Sequence, residues 1–422
     1  MKIRPTAPVR EAMPSLRPLA LALLLGATAS PALAQAPPPP PPADEAPLRG
    51  LSPRELDVLA PHLDRGPVVL AQFRPDPRLM PAVVFATRID APVERVAEAI
   101  LHPERYPEFM PALDEIAIES RQGPQIAYSW QWQIALFTLR GRNVMTAYPP
   151  HPTRGLRVDV LSTGGDMGEG RMSWRVRPDG PGRSLLVLTS RVDMRDANYI
   201  ADRLASGGTS VQRSINVALT TVMALGTKRR AEGAARGPAG VTEGPLAPRE
   251  LDLAALAPVL ARGDLVFLEL DGDRLDRVGV VARASTGVAR VREVMLDPEE
   301  FGRSLVHGSR ARVVERTDAH VDFDWGIPLP LLGVEGRMRL FPSEGAIRVE
   351  GVRGSLAAGR WTFDTTRFSW GEAVIVGWGR FDPADTSRLV RRLIADDSDF
   401  SHGLAVATQI MVARGLRRSA TR

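Results

Sequence analysis

Two pairs of charged residues lie where they could act on a ligand. Arg191 and Asp193 end the last predicted strand of the first half, and Arg380 and Asp382 occupy the equivalent places in the second half. An arginine on the inner face of a sheet could bind a carboxylate or phosphate through its planar guanidinium. In the alternative interpretation, each arginine pairs with its neighbouring aspartate and closes the rim of the fold.

The same alternative assigns Asp196 and Asp385 as N-caps of the helices that follow. Asn143 is a further polar residue, and strand alternation predicts that it faces the inner side of the sheet; the second half has Met338 in its place. It could orient a ligand oxygen in the first half only, or it could be a buried amide bonded to backbone.

The residues needed for metal or nucleophilic chemistry are absent or scattered. The chain has no cysteine, and its histidines show no metal-ligand spacing; they are His62, His102, His151, His307, His320 and His402. No GxSxG, Walker or GxGxxG motif occurs. We therefore predict no metal, no cofactor and no covalent catalysis. General acid–base catalysis stays open, because folding can assemble such groups without a sequence motif.

The N-terminus predicts export. Basic residues precede an apolar run from Leu19 to Ala29, and Ala32-Leu33-Ala34 resembles a cleavage site. We interpret residues 1–34 as a signal peptide, which predicts a secreted, periplasmic protein, and residues 35–50 as a proline-rich tether. A membrane anchor is disfavoured because spanning a bilayer takes about 20 apolar residues.

Net charge gives no indication of nucleic-acid binding. The chain carries 54 Lys and Arg against 49 Asp and Glu, a formal charge of +5. Removal of residues 1–34 takes away four basic residues and Glu11, which leaves about +2.

The chain contains one pattern twice. Apolar positions at helical spacing recur 189 residues apart; they are Ile200, Leu204, Val211, Ile215, Ala218, Val222 and Gly226, then Leu389, Leu393, Phe400, Leu404, Ala407, Met411 and Gly415. Each half should therefore end in a long helix, from Asp196 to Arg230 in the first half. We predict domains at 51–230 and 246–422, joined by a Gly-, Ala- and Pro-rich linker at 231–245.

Each half opens with a capped helix. Ser52, Pro53 and Glu55 fit a capping box, and the second half begins with a similar sequence at Leu246. A strand follows at Val83–Ile89, then a helix and a broken short helix over Asp90–Phe109. Six alternating segments between Ile116 and Asp193 predict an antiparallel sheet.

One face of each predicted sheet is rich in large apolar residues. In the first half it carries Trp130, Trp132, Phe137, Met145 and Trp174, which we expect to face Val222 and Met223 of the last helix. The second half has Trp325, Trp361 and Trp378. Trp and Met suit irregular ligand pockets, although the same residues could fill a solid core.

The order of elements, and the stretch APVERVAEAILHPERYPEFMPAL from Ala91 to Leu113, resemble the START-like superfamily, which includes polyketide cyclase and coenzyme Q-binding-like proteins. The resemblance implies an α+β chain with two tandem helix-grip domains, each a curved antiparallel sheet around a long C-terminal helix. It also implies an apolar cavity that takes a hydrophobic ligand. The second half matches less well, since Gly287 stands where Pro92 would be expected.

Both long helices end in cations: Lys228, Arg229 and Arg230, then Arg414, Arg417, Arg418 and Arg422. The helix dipole explains such cations. The alternative is a transient contact with an anionic membrane surface.

We therefore expect an exported binder or carrier of a lipid or other hydrophobic small molecule, mainly in the first half, and not an enzyme. One alternative is a cyclase or aromatase that uses Arg191, Asp193 or Asn143 on an enclosed substrate. Another is a non-catalytic interaction module in which the second half has lost its cavity.

Overall fold

The strands form one continuous antiparallel sheet across both halves of the chain. The computed structural model describes residues 48–73, 81–134, 137–166, 169–193, 209–235, 237, 239–305, 308–329, 332–368, 371–386, 390–391 and 397–422. The predicted signal peptide and most of the predicted tether lie outside these residues. No helix among the described residues is long and apolar enough to cross a bilayer.

The first half contains the helices α1 (Pro53–Leu63), α2 (Val93–Leu101) and α3 (Thr209–Glu232), with a 3-10 helix at Pro103–Glu108. Its strands are β1 (Val68–Gln72), β2 (Val83–Ile89), β3 (Leu113–Gln122), β4 (Gln125–Ile134), β5 (Phe137–His151), β6 (Gly155–Gly165), β7 (Glu169–Pro178) and β8 (Ser184–Asp193). The predicted strand at Val83–Ile89 is confirmed as β2, as are the helix with its broken continuation and the six strands that follow; β1 was not predicted.

The second half repeats this order. Its helices are α4 (Leu253–Leu260), α5 (Val288–Leu296), α6 (Pro298–Leu305) and α7 (Ser398–Ala420), with a 3-10 helix at Pro383–Asp385. Its strands are β9 (Gly263–Asp271), β10 (Arg274–Ala284), β11 (Arg310–Arg316), β12 (Val321–Leu329), β13 (Leu332–Phe341), β14 (Ile347–Gly354), β15 (Arg360–Arg367) and β16 (Ala373–Arg380). The predicted duplication and the α+β class are confirmed.

The two halves join edge to edge through β1 and β9. The strand order is β11-β12-β13-β14-β15-β16-β10-β9-β1-β2-β8-β7-β6-β5-β4-β3, so each half contributes eight strands in mirrored order. Val68 lies opposite Phe267 and Leu70 opposite Leu265 in the central antiparallel pair. Both halves belong to one compact unit, Pro47–Arg422.

Two apolar layers cover the strands at the centre of the sheet. On one face, which we call the outer face, α1 and α4 pack on a cluster that includes Val68, Leu70 and Val84. On the opposite, inner face, Val69 and Phe85 belong to a larger core cluster. Strands buried on both faces are apolar at successive positions, as in the run of buried residues from Val68 to Ala71.

The first helix has the cap that its sequence predicts. The Ser52 hydroxyl accepts a hydrogen bond from the Glu55 backbone N–H at 3.3 Å, and the Glu55 carboxylate accepts one from the Ser52 backbone N–H at 2.7 Å. The other Glu55 oxygen accepts a hydrogen bond from Arg262, which follows α4, at 2.6 Å. The cap of the first half is thereby tied to the second half.

The long helices α3 and α7 pack against each other as well as against the sheet. A Cβ built on Gly403 would lie 2.9 Å from the Ala218 carbonyl oxygen and 2.8 Å from Val222 Cγ2, so glycine is needed for this close approach. In the first turn of α7, Asp399 accepts a hydrogen bond from Arg229 of α3 at 2.7 Å. Each long helix therefore buries part of its surface on the other.

The predicted cap of the last helix in the second half needs correction. Asp397 caps α7 by accepting from the Phe400 backbone N–H at 3.0 Å, whereas Asp385 ends the preceding 3-10 helix, which Asp382 caps. The predicted cap at Asp196 lies outside the described residues, as does the predicted start of the first long helix.

Candidate ligand site in the first half

Four large side chains of the first half lie at or beside the inner core. Trp174 and Met145 are fully buried, and Trp130 and Trp132 are half-buried against the same cluster. A Cβ built on Gly141, which is opposite Trp130 on β5, would lie 2.3 Å from the indole Cζ2. The Trp130 ring therefore occupies the space that any larger residue at 141 would fill.

A buried polar pair lies beside these aromatic residues. Asn143 and Tyr128 are cross-strand partners on β5 and β4, and Asn143 Nδ2 donates to Tyr128 Oη at 3.2 Å. Burial raises the pKa of Tyr128 to about 12, although the hydrogen bond from Asn143 acts in the opposite direction. The phenol is therefore neutral and can donate its proton to a ligand oxygen.

Reasoning from the sequence missed Tyr128 as a polar candidate, because tyrosine also suits an apolar strand face. Its partner Asn143 carried the signal: a polar residue at inward parity needs a hydrogen-bonding partner. The residue directly across a predicted hairpin is the first place to look for that partner.

The second half replaces the polar pair with apolar residues. Trp325 lies opposite Gly336, as Trp130 lies opposite Gly141, and Phe323 lies opposite Met338 where the first half has Tyr128 and Asn143. Phe323, Trp325 and Ile327 are all buried. This part of the second half offers no equivalent of the Tyr128–Asn143 pair.

Three predicted site residues lie on the outer face, so the expectation that they point inward is wrong. Arg191 is opposite Arg171 and alternates with Leu188 and Ser190, which face the inner side. Trp378 belongs to the outer cluster and stacks near Phe267 at a centroid distance of 6.3 Å. The central strands are apolar on both faces, so parity alone does not tell the inner face from the outer one.

Arg380, the third of these residues, is held by hydrogen bonds to the predicted linker. Its Nη1 donates to Thr242 Oγ1 at 2.7 Å and to the Glu243 carbonyl at 3.3 Å, and its Nη2 donates to the Gly244 carbonyl. Burial lowers its pKa, and Asp276 acts in the opposite direction. Arg380 therefore holds the predicted linker on the second half and does not face the inner core.

The remaining predicted residues divide between the inner core and the helix pair. Trp361 is buried in the inner cluster and stacks on Phe381 at 5.5 Å. Met223 packs against the inner cluster, whereas Val222 contacts Gly403 of α7. The expectation that Val222 faces the first-half tryptophans is therefore wrong, because the face of α3 that carries it is used for helix pairing. The side chains of Phe137 and Asp193 lie outside the described part of the chain.

One group of side chains has the composition of a cation site. The donor atoms of Glu315, His320 and Asp322 lie within 4.8 Å of one another. Arg339 already donates to both oxygens of Asp322 at 2.7 and 2.8 Å. These hydrogen bonds lower the pKa of Asp322, with burial acting in the opposite direction. The bidentate ion pair accounts for this arrangement of charges.

Comparison with known proteins gives a family for the first half. Residues 80–221 match the model of the family described as polyketide cyclase / dehydrase and lipid transport. No curated protein matches the chain.

Several solved structures are similar to the chain at low identity. The di-domain ARO/CYC StfQ from the steffimycin biosynthetic pathway is 11% identical, covering 80% of this chain and 98% of its own, with a TM-score of 0.30. A Thermus thermophilus protein, TTHA0849, is 20% identical over 36% of this chain and 98% of its own, with a TM-score of 0.31. Human STARD10 is 13% identical over 39% of this chain and 69% of its own, with a TM-score of 0.33.

The matched residues run from just before β2 into α3, and they include Trp130, Trp132, Trp174 and the Tyr128–Asn143 pair. Residues 80–221 therefore match the polyketide cyclase / dehydrase and lipid transport family, and the second half repeats the order of elements of that region.

Proposed function

We propose that this protein is an exported, periplasmic binder or carrier of a lipid or other hydrophobic small molecule. The ligand would lie on the inner face of the first half, with its apolar part against Trp130 and Trp132 and an oxygen near Tyr128. One observation carries the proposal: the first half combines half-buried tryptophans with a buried polar pair, and the second half has neither at the equivalent positions. Such a combination is typical of sites that bind an apolar body and orient one polar end.

Export is proposed from residues 1–34, whose basic, apolar and small-residue segments are typical of a signal peptide. The second half would then act as a structural partner that covers the edge strand β1 and one face of α3. This assignment follows from its apolar Phe323–Met338 pair and its buried Trp325.

Mass spectrometry of a solvent extract tests the proposal. Protein purified from its native compartment should release an apolar compound, and the Trp130→Ala variant should release much less. Trp325→Ala is the matched control, because Trp325 occupies the equivalent position of the second half. An empty extract from the wild type, or equal loss in both variants, would contradict the proposed site.

An enzyme of the cyclase kind is the second candidate, and the Tyr128–Asn143 pair supports it. A neutral phenol and an amide N–H in a buried site can polarise a carbonyl oxygen. Incubation of the extracted compound with fresh protein separates the two functions. A carrier returns the compound with its mass and retention unchanged, whereas an enzyme converts it, and conversion should fall in Tyr128→Phe.

A further inference from the structure

A pocket rich in arginine lies between the beginning of α3 and the end of α7. Its volume is about 290 Å³, and it is lined by Arg213, Ser285, Arg414, Arg417, Arg418 and Thr421. Arg213 comes from the first half, and the other five residues come from the second half. None of them belongs to the site proposed for the apolar ligand.

Arg414, which lines this pocket, has an unused donor. Its side chain is 5% exposed, and its Nε donates to Asp264 at 3.0 Å. Its Nη1 is buried and has no hydrogen-bond partner among the described residues. A buried donor on a charged group is costly without an acceptor, so a ligand oxygen at Nη1 would be stabilising.

Among the described residues, positive charge exceeds negative charge around Asp264. Arg417 donates to the same carboxylate at 2.6 and 3.2 Å, so one anion serves two guanidinium groups. Arg418 adds a further charge; burial lowers its pKa, and repulsion from Arg422, Arg414 and Arg417 lowers it further. The C-terminal dipole of α7 favours nearby cations, but it supplies no acceptor for Arg414 Nη1.

We propose that this pocket binds a phosphate-type oxyanion, either free phosphate or the head group of an anionic lipid. Guanidinium groups bind phosphate oxygens through paired hydrogen bonds, and the hydroxyl of Ser285 can donate to a further oxygen. Several guanidinium groups around one pocket suit a phosphate-type group, because its oxygens can accept hydrogen bonds from more than one of them. Because Arg213 and Arg418 belong to different halves, the bound anion would also connect the two long helices.

Calorimetric titration of the full chain with inorganic phosphate tests the free anion. Sedimentation with vesicles of phosphatidylcholine, with and without phosphatidylglycerol, tests the head group. We expect saturable binding in at least one arm and a weakening of about tenfold in Arg418→Gln. Arg213→Gln should act in the same direction, which guards against a local folding defect in one variant.

Arg310→Gln is the matched control, because this arginine is 81% exposed and lies 3.8 Å from its nearest carboxylate. It removes the same formal charge and should leave binding unchanged. Saturation by phosphate assigns the free anion, and binding confined to phosphatidylglycerol vesicles assigns the lipid head group. Absence of saturable binding in both arms, or equal weakening in Arg310→Gln and Arg418→Gln, overturns the proposal.

Discussion

The Asp264→Asn substitution should strongly destabilise the fold, because it removes a fully buried carboxylate that two arginines share. Asp264 lies near the start of β9, and its oxygens accept hydrogen bonds from Arg414 at 3.0 Å and from Arg417 at 2.6 Å. Asparagine keeps the shape of the side chain but replaces one acceptor oxygen with an N–H₂ group. One guanidinium would then face a donor, and neither would have a counter-ion in this contact.

The size of the effect follows from the burial of the partners. Removal of one member of a buried ion pair typically costs about 3–5 kcal/mol. Arg417 is 20% exposed and can turn partly toward water, whereas Arg414 is 5% exposed and cannot. We therefore expect a loss near the lower end of that range, about 3 kcal/mol in the free energy of unfolding.

Urea denaturation at neutral pH measures this loss. Asp322→Asn is a matched control: Asp322 also accepts two hydrogen bonds from one arginine, but Arg339 is 37% exposed. Its loss should be clearly smaller, because an exposed guanidinium regains water when its partner is removed. A change below about 1 kcal/mol in Asp264→Asn would refute the inference that Arg414 depends on this carboxylate.

The dependence of stability on pH, compared between the wild type and Asp264→Asn, gives a second test. Burial raises the pKa of Asp264, but Arg417 and Arg414 outweigh it and hold the pKa below its ordinary value of 3.8. A carboxyl with a lowered pKa in the folded state stabilises that state above its unfolded pKa, and the stabilisation disappears as the pH falls through the folded pKa. The difference between wild type and Asp264→Asn should therefore be constant near neutrality and shrink below about pH 4. A difference that grows on acidification would contradict this assignment.

Three further predictions concern the helices. Gly403→Val should destabilise by about 1–3 kcal/mol in urea denaturation, because a Cβ there lies 2.9 Å from the Ala218 carbonyl oxygen; an unchanged midpoint would show that the long helices can separate. Ser52→Ala should lower stability by about 1 kcal/mol through loss of the cap on Glu55, measured as the shift in thermal unfolding, and a neutral result would mean that water replaces the hydroxyl. Burial lowers the pKa of His402 from 6.5 to about 4, so the folded state holds the neutral ring and the wild type loses stability as the pH falls from 6.5 toward 4. His402→Leu should lack this pH-dependent loss of stability. Equal dependence of the free energy of unfolding on pH in both proteins would contradict the assignment.

Local chemistry was sufficient to predict most elements of the fold. The Ser52–Glu55 capping box, the strand at Val83–Ile89 and the six strands after Ile116 are formed by interactions close in sequence or by regular alternation. The repeat at an offset of 189 residues predicted that the second half would have the same order of elements. Those predictions are confirmed because periodicity reports directly on which residues must be buried.

The candidate site was predicted only in part. Asn143 was identified as a polar residue among apolar ones, but its partner Tyr128 emerged from the register of β4 and β5. Trp378 and Arg380 were assigned to the wrong face because both sides of β16 are covered.

The sequence by itself determined the duplication, the class of each element and the apolar character of the strands, because these depend on local propensity and periodic burial. The tertiary structure alone decided that β1 pairs with β9, that α3 packs on α7 and that Arg414 lies over Asp264. Backbone pairing between strands and contacts between distant helices have no local sequence signature, since any strand edge offers the same N–H and C=O groups. Only the folded chain brings together residues that are 150 positions apart, as Asp264 and Arg414 are.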